Sequence, residues 1–315
     1  MASSGSYDFS VNRNDIINLA NEMAGVKGIG RVLSAEDIDR SSMLLNLIVK
    51  QFQGKSDFQP GLKIWSRKRA YLFPQLNTAQ YTLGPNGGHA TASYSSTTTD
   101  AAEAIGQTVI SVTSTTGMTA ADKIGIRCDD GSIHWSTIST FSAGDTVTIA
   151  DALTVAAASG STVYWYTTEI MQPLTMVSVR RMDTDNNEVP LSTMSLGFYE
   201  ENVLNKATAG TPSGYLYEKG VTDGTLTLDF QVSDTTEIYR LTFLRPVEDF
   251  DAATDTPDYP QEWFRPLVGQ LAIDVATANG RPVTQEMKDF RDSGLAIAGN
   301  ADPDNDEDVF FQSET

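Results

Sequence analysis

The sequence predicts an α+β protein. Its N- and C-terminal helices form a helical bundle, and a large antiparallel β region is inserted between them, with a small β barrel or sandwich nested inside. Three observations carry this reading. Apolar residues recur at helical spacing near both ends of the chain. The middle alternates apolar and polar residues with a period of two. A Ser/Thr/Ala/Gly-rich stretch, 92–168, is broken into short strands by frequent turn residues.

Each element follows in order. Asn12 or Asn14 caps a first helix running to about Ala24, with Ile16, Ile17, Ala20 and Met23 on one side and Gly25 as its stop. Ser34 stands three residues before Asp37, a start resembling a capping box. Ile38, Leu44, Leu45, Ile48 and Phe52 then recur helically as far as Gln53. Beyond Pro60-Gly61 the pattern turns extended, over 63–73 and 80–83. Ile124, Ile126 and Cys128 alternate toward Asp130-Gly131, and Ile133-His134-Trp135 returns, which predicts a hairpin. Val109–Val112, Val147–Ile149, Val163–Tyr166 and Met176–Arg181 are further strands, and Ser195–Val203 is a short helix. Leu226, Leu228 and Phe230 alternate with polar residues, as do Tyr239, Leu241 and Phe243, so each strand buries one face. Pro260 opens a helix in which Trp263, Leu267, Leu271 and Val275 recur every fourth residue. A last helix spans Thr284 to about Ala298, weakened at Gly294 by about 1 kcal/mol relative to alanine. The domains expected are 10–58 and 257–299 for the bundle, 60–91 and 169–250 for the β domain, 92–168 for the nested module, and 300–315 for a flexible acidic tail.

Composition narrows the function. The chain has 315 residues, with 41 acidic against 22 basic side chains and a net charge of −19. General polyanion coating is disfavoured, because such affinity comes from clustered Lys and Arg. A single cysteine excludes an internal disulfide framework, and two histidines leave little for metal sites. No apolar run is long enough for a membrane span, and the N-terminus lacks the basic start and apolar core of a secretory signal. Candidate motifs fail on geometry. Asp302, Asp304 and Asp306 begin like a calcium loop, but Glu307 stands where glycine is required. Gly54-Lys55-Ser56 follows a helix where a phosphate loop must precede one. No Ser/His/Asp set presents itself, so neither a catalytic residue, a metal site nor a cofactor is expected.

Other features remain. Lys63, Arg67, Lys68 and Arg69 cluster, as do Arg180 and Arg181, which reads as a solvated strand face or as contact with an acidic neighbour or a phosphate. Residues 248–262 and 300–315 carry six acids each and no base. Asp258 and Glu262 suit a helix N-terminus; the other acids of the first stretch have no local role in the sequence. Val309, Phe310 and Phe311 stand as an apolar patch inside the polar tail, the mark of a segment that inserts into a partner groove.

Several segments in this order resemble the head-to-tail adaptor proteins of short-tailed bacteriophages, of the tail-tubular-protein-A and packaged-DNA-stabilisation type. DFSVNRNDIINLANEMAGV and SAEDIDRSSMLLNLIVKQFQ resemble the first helical pair, and LKIWSRKRAYLFPQLNTAQYTLG the entry to the β region. IGIRCDDGSIHWSTIS resembles the inserted module of larger members. RPVEDFDAATDTPDYPQEWFRPLVGQLAIDVA resembles the return to helix, and DVFFQS the C-terminal tail. The resemblance implies a structural virion protein, not an enzyme, without cofactors. It implies a ring of twelve copies below the portal, joining it to a tail nozzle or hub. Double-stranded DNA would pass through the channel without sequence-specific binding. The subunits would be made in the cytoplasm of a bacterial host and would contact no membrane. It assigns the portal-docking tail to Val309, Phe310 and Phe311. The rival reading is a tail-associated carbohydrate-binding or hydrolytic β protein that uses Trp135, Trp165 and Tyr166.

Overall fold

A computed structural model of the chain describes residues 5–6, 8–28, 30–56, 61–62, 64–142 and 145–301. The fold is α+β, with five α-helices among the described residues: α1 (Arg13–Met23), α2 (Ala35–Phe52), α3 (Leu196–Asn202), α4 (Phe264–Ala278) and α5 (Gln285–Ala301). Contacts divide the chain into two compact units. One joins 1–66 to 246–315, and the other is 67–245.

The first unit is built from the two chain ends. Asn12 caps α1: its side chain accepts the Asp15 N–H at 2.9 Å, and the Asp15 carboxylate accepts the Asn12 N–H at 3.1 Å. That reciprocal pair satisfies two N–H groups the helix leaves open. Ser34 caps α2 by accepting the Asp37 N–H. Helix α4 follows a 3₁₀ turn at Gln261–Trp263, with Pro260 just before that turn. Ile16, Ile17 and Ala20 of α1, Leu45, Ile48, Val49 and Phe52 of α2, and Leu267, Leu271 and Val275 of α4 share one core with Met287 and Ala298 of α5. Trp263 lies inside it, 5.8 Å from Phe52 and 5.2 Å from Tyr259 between ring centroids. The Tyr259 hydroxyl donates to the Val49 carbonyl at 2.9 Å, tying residues far apart in the chain.

Helix α4 is in the middle, packed against α1, α2 and α5. Gly294 of α5 does more than weaken its helix. A Cβ there would stand 2.8 Å from Pro266 Cδ, and one at Gly269 would stand 3.0 Å from Arg291 Cα. The two glycines let α4 and α5 approach backbone to backbone.

The second unit holds the strands: β1 (Arg67–Leu72), β2 (Gln80–Leu83), β3 (Ala90–Thr91), β4 (Ser95–Thr98), β5 (Val109–Ser111), β6 (Lys123–Arg127), β7 (Ile133–Ser142), β8 (Thr146–Ile149), β9 (Thr162–Tyr166), β10 (Thr175–Met182), β11 (Glu188–Pro190), β12 (Ser192–Thr193), β13 (Ala209–Gly210), β14 (Gly214–Lys219), β15 (Gly224–Leu228), β16 (Gln231–Val232) and β17 (Ile238–Leu244). Sheet orders are β11-β10-β17-β1-β3, β12-β14-β15-β2, β13-β16 and β4-β9-β6-β7-β8-β5. Pairing is antiparallel except in β12-β14 and β13-β16. The first two sheets enclose a core of Leu72, Leu83, Val179, Tyr215, Leu226, Tyr239 and Leu241. The six-stranded sheet curves into a half-barrel around Ile110, Ile124, Ile126, Val147, Val163 and Trp165. An antiparallel bridge, Thr99 to Val112, links the segments that follow β4 and β5. Phe230 departs from the expected alternation: β15 ends at Leu228, and Phe230 is partly exposed.

Candidate functional site

A polar concavity lies in the second unit, where the chain enters the half-barrel. Gly87-Gly88-His89 turns with His89 at φ +69°, a left-handed conformation held by both of its backbone groups. Its N–H donates to Tyr166 Oη at 3.1 Å, and its carbonyl accepts the Phe73 N–H at 2.7 Å. The imidazole centroid is 5.1 Å from the Trp135 ring. His89, Lys123, Trp135, Ser136, Asp151, Tyr166 and Glu169 line a cleft of about 200 Å³. Burial, with the Lys123 charge adding to it, pushes the His89 pKa down to about 4. Burial raises the Glu169 carboxyl, against the opposing pull of Lys123. His89 Nδ1 and Trp135 Nε1 are buried without a hydrogen-bond partner among the described residues.

This cleft is poorly arranged for hydrolysis. An imidazole that stays neutral down to about pH 4 is a weak general base. Ser136 Oγ accepts the Asp151 N–H at 2.8 Å and donates to the Asp151 carboxylate at 3.2 Å, so its partner is the acid that follows β8, not a histidine. Of the aromatic residues of the carbohydrate reading, Trp135 and Tyr166 line this cleft together with ring centroids 5.6 Å apart, whereas Trp165 belongs to the half-barrel core. Trp165 fills the half-barrel core, Tyr166 is buried, and Trp135 packs against Gly125, where a Cβ would come within 2.8 Å of the indole.

Other sequence candidates have structural partners. His134 Nδ1 lies 3.3 Å from Thr154 Oγ1 and Nε2 lies 3.2 Å from the Asp151 carbonyl. Cys128 is buried, and burial raises its thiol pKa. Arg180 and Arg240 face each other across β10 and β17 and share the Glu188 carboxylate, while Arg181 pairs with Glu237 at 2.8 Å. Lys68 and Arg69 are exposed on β1; Lys63 lies outside the described residues. Three of the six acids of 248–262 have local partners. Asp249 pairs with Lys50 at 2.6 Å, Asp255 accepts the N–H groups of Asp251 and Ala252, and Asp258 accepts the Glu248 N–H. Val309, Phe310 and Phe311 lie outside the described residues.

The sequence reading did not single out the outer face of α2. Asp39, Ser42, Met43, Asn46, Leu47 and Lys50 line a groove of about 490 Å³ with Asp249. The available signal was an apolar arc on α2 too wide for one buried stripe, since Met43 and Leu47 fall outside the set Leu45, Ile48, Val49 and Phe52. Among the described residues, no three His, Cys, Asp or Glu side chains gather to hold a metal, and no helix is long and apolar enough to cross a membrane. No protein-family model matches the chain, and no curated protein matches it significantly.

Proposed function

We propose that this chain is a structural virion protein, the subunit of a head-to-tail adaptor ring joining the portal to the tail nozzle or hub and extending the DNA channel. The observation that carries the reading is the shared core of the two chain ends. Ile16, Leu45 and Phe52 pack with Leu267, Leu271 and Met287, and the strand-rich middle forms its own unit. In this reading the terminal helices make a four-helix bundle that packs side by side in a ring of twelve copies. The half-barrel is a nested barrel carried by the β domain.

The charge supports the same reading. A surface at −19 per copy repels phosphate and lets DNA slide past without sticking. The same charge opposes ring closure, and binding to a preformed portal offsets that cost by concentrating the subunits. The tail from 300 to 315 docks on the portal through Val309, Phe310 and Phe311. Full-length protein and a chain ending at 299, each mixed with portal rings, test this by negative-stain imaging. The full chain is expected to decorate portals, and the shortened chain, unchanged in circular dichroism, is expected not to. Wild-type occupancy by the shortened chain would sink tail docking, and failure of the full chain to bind portals would sink the adaptor reading.

A further inference from the structure

Three strands of the half-barrel set polar groups side by side on one face. The register places Lys123 of β6 opposite Tyr166 of β9 and opposite Thr137 of β7, and side chains directly opposite in a sheet point the same way. Two residues along, Gly125 stands opposite Trp135, and its missing Cβ lets the indole lie close over β6. Asp151, Glu169 and His89 complete the lining of the cleft of about 200 Å³.

The groups around this cleft are short of partners. Burial raises the Glu169 carboxyl and Lys123 lowers it, so the two charges feel each other. Neither makes an ion pair or a hydrogen bond with a side chain or backbone group among the described residues. Tyr166 Oη accepts the His89 N–H at 3.1 Å, and its own proton has no acceptor among the described residues. Burial pushes the Tyr166 pKa up to about 12, so that proton stays in place. Asp151 engages Ser136 through Oδ2, which leaves Oδ1. His89 Nδ1 and Trp135 Nε1 add two orphaned atoms to the same wall, in a class of buried polar atoms that folded proteins nearly always pair.

Charge and size narrow the occupant. Lys123 stands against Asp151 and Glu169, and His89 is neutral above about pH 4, so the lining carries one net negative charge. Phosphates and carboxylates are thereby disfavoured. The volume is below the roughly 300 Å³ at which drug-sized ligands are held, so the occupant is small. A carboxylate only accepts hydrogen bonds and an ammonium only donates them, so a ligand that satisfies both must carry groups that do both. Hydroxyls are such groups.

We infer that this cleft binds one pyranose ring of a carbohydrate, with Glu169 and Asp151 accepting its hydroxyl protons and Lys123 and Tyr166 donating to its oxygens. Hydrogen bonds rather than stacking hold the sugar, because the Trp135 indole already lies against Gly125. The sugar is bound without being cleaved, since Ser136 is engaged by Asp151 and His89 is a weak base. This site goes beyond the adaptor reading and does not depend on it.

The test is saturation-transfer NMR on the full chain, with glucose, galactose, mannose and N-acetylglucosamine each titrated through the millimolar range. At least one of these sugars is expected to give a saturable signal. Glu169→Gln and Lys123→Met are each expected to weaken it about tenfold with the urea midpoint unchanged, because neither side chain has a hydrogen-bond partner to lose. Lys219→Met, on β14 and outside the cleft, is expected to leave the signal as it is. The absence of a saturable signal from all of these sugars would overturn the inference. A signal that survives both cleft substitutions would overturn it too, by placing the sugar elsewhere. So would displacement of the sugar by equimolar inorganic phosphate or glycine, which would assign the cleft to a charged ligand. If Lys123→Met lowers the urea midpoint, Glu169→Gln decides alone, because it keeps the shape of its side chain.

Discussion

At the scale of single residues, two positions show opposing effects that magnitudes can decide. Gly294 lies inside α5, where alanine improves helix propensity by about 1 kcal/mol. The added Cβ would stand 2.8 Å from Pro266 Cδ and 3.0 Å from Pro266 N. Those atoms belong to a ring and a backbone and cannot rotate away, and such overpacking costs about 1–3 kcal/mol. Gly294→Ala is therefore expected to lower the urea midpoint, whereas Gly197→Ala in α3, with nothing within 4 Å, is expected to leave it level or raise it. The second position is His89. Its pKa falls from 6.5 in the open chain to about 4 in the fold. The unfolded chain therefore binds the extra proton first, so stability is full above about pH 6.5 and drains as pH falls toward 4. The loss is on the order of 3 kcal/mol. His89→Asn tolerates the left-handed backbone and carries no proton to titrate. Its stability is expected to vary less between pH 7 and pH 4 than that of the wild type, as read from urea midpoints. A slope equal to wild type would assign the acid sensitivity to other groups.

At the scale of elements, caps and stripes carry the helices. The Asn12–Asp15 box satisfies two N–H groups, and Asn12→Ala is expected to cost about 1 kcal/mol in chemical denaturation. Trp263 lies at the entry to α4 between Phe52 and Tyr259, and Trp263→Ala is expected to cost about 3–5 kcal/mol. Loss at Trp263 should expose both chain ends together, since its neighbours come from α2 and from the segment before α4. Hydrogen exchange in α2 rising with exchange in α4 would show that coupling, and α4 loosening alone would refute it.

At the scale of the whole molecule, the net charge of −19 governs association. Screening shortens the reach of that charge from about 30 Å at 0.01 M salt to about 8 Å at 0.15 M. Self-association of the chain is expected to strengthen as salt rises, by sedimentation velocity. Weakening with salt would mean that ion pairs, such as those open to Arg69 on β1, hold the copies together instead.

The helices and several of the longer strands were legible from local pattern, because those depend on neighbours within a turn or two, while β14 (Gly214–Lys219) and the short strands were not. Asn12 and Ser34 mark their helices, the four-residue recurrence from Trp263 to Val275 marks α4, and Asp130-Gly131 marks the β6-β7 hairpin. What the same residues do across the fold follows from long-range packing. It turned Gly294 from a weak point into a close-packing site, gave Asp255 and Asp258 backbone partners, and joined Arg180 and Arg240 through Glu188. It also left Met43, Leu47 and Ile297 uncovered. Those outcomes depend on groups brought together from distant parts of the chain, a relation that local spacing does not encode.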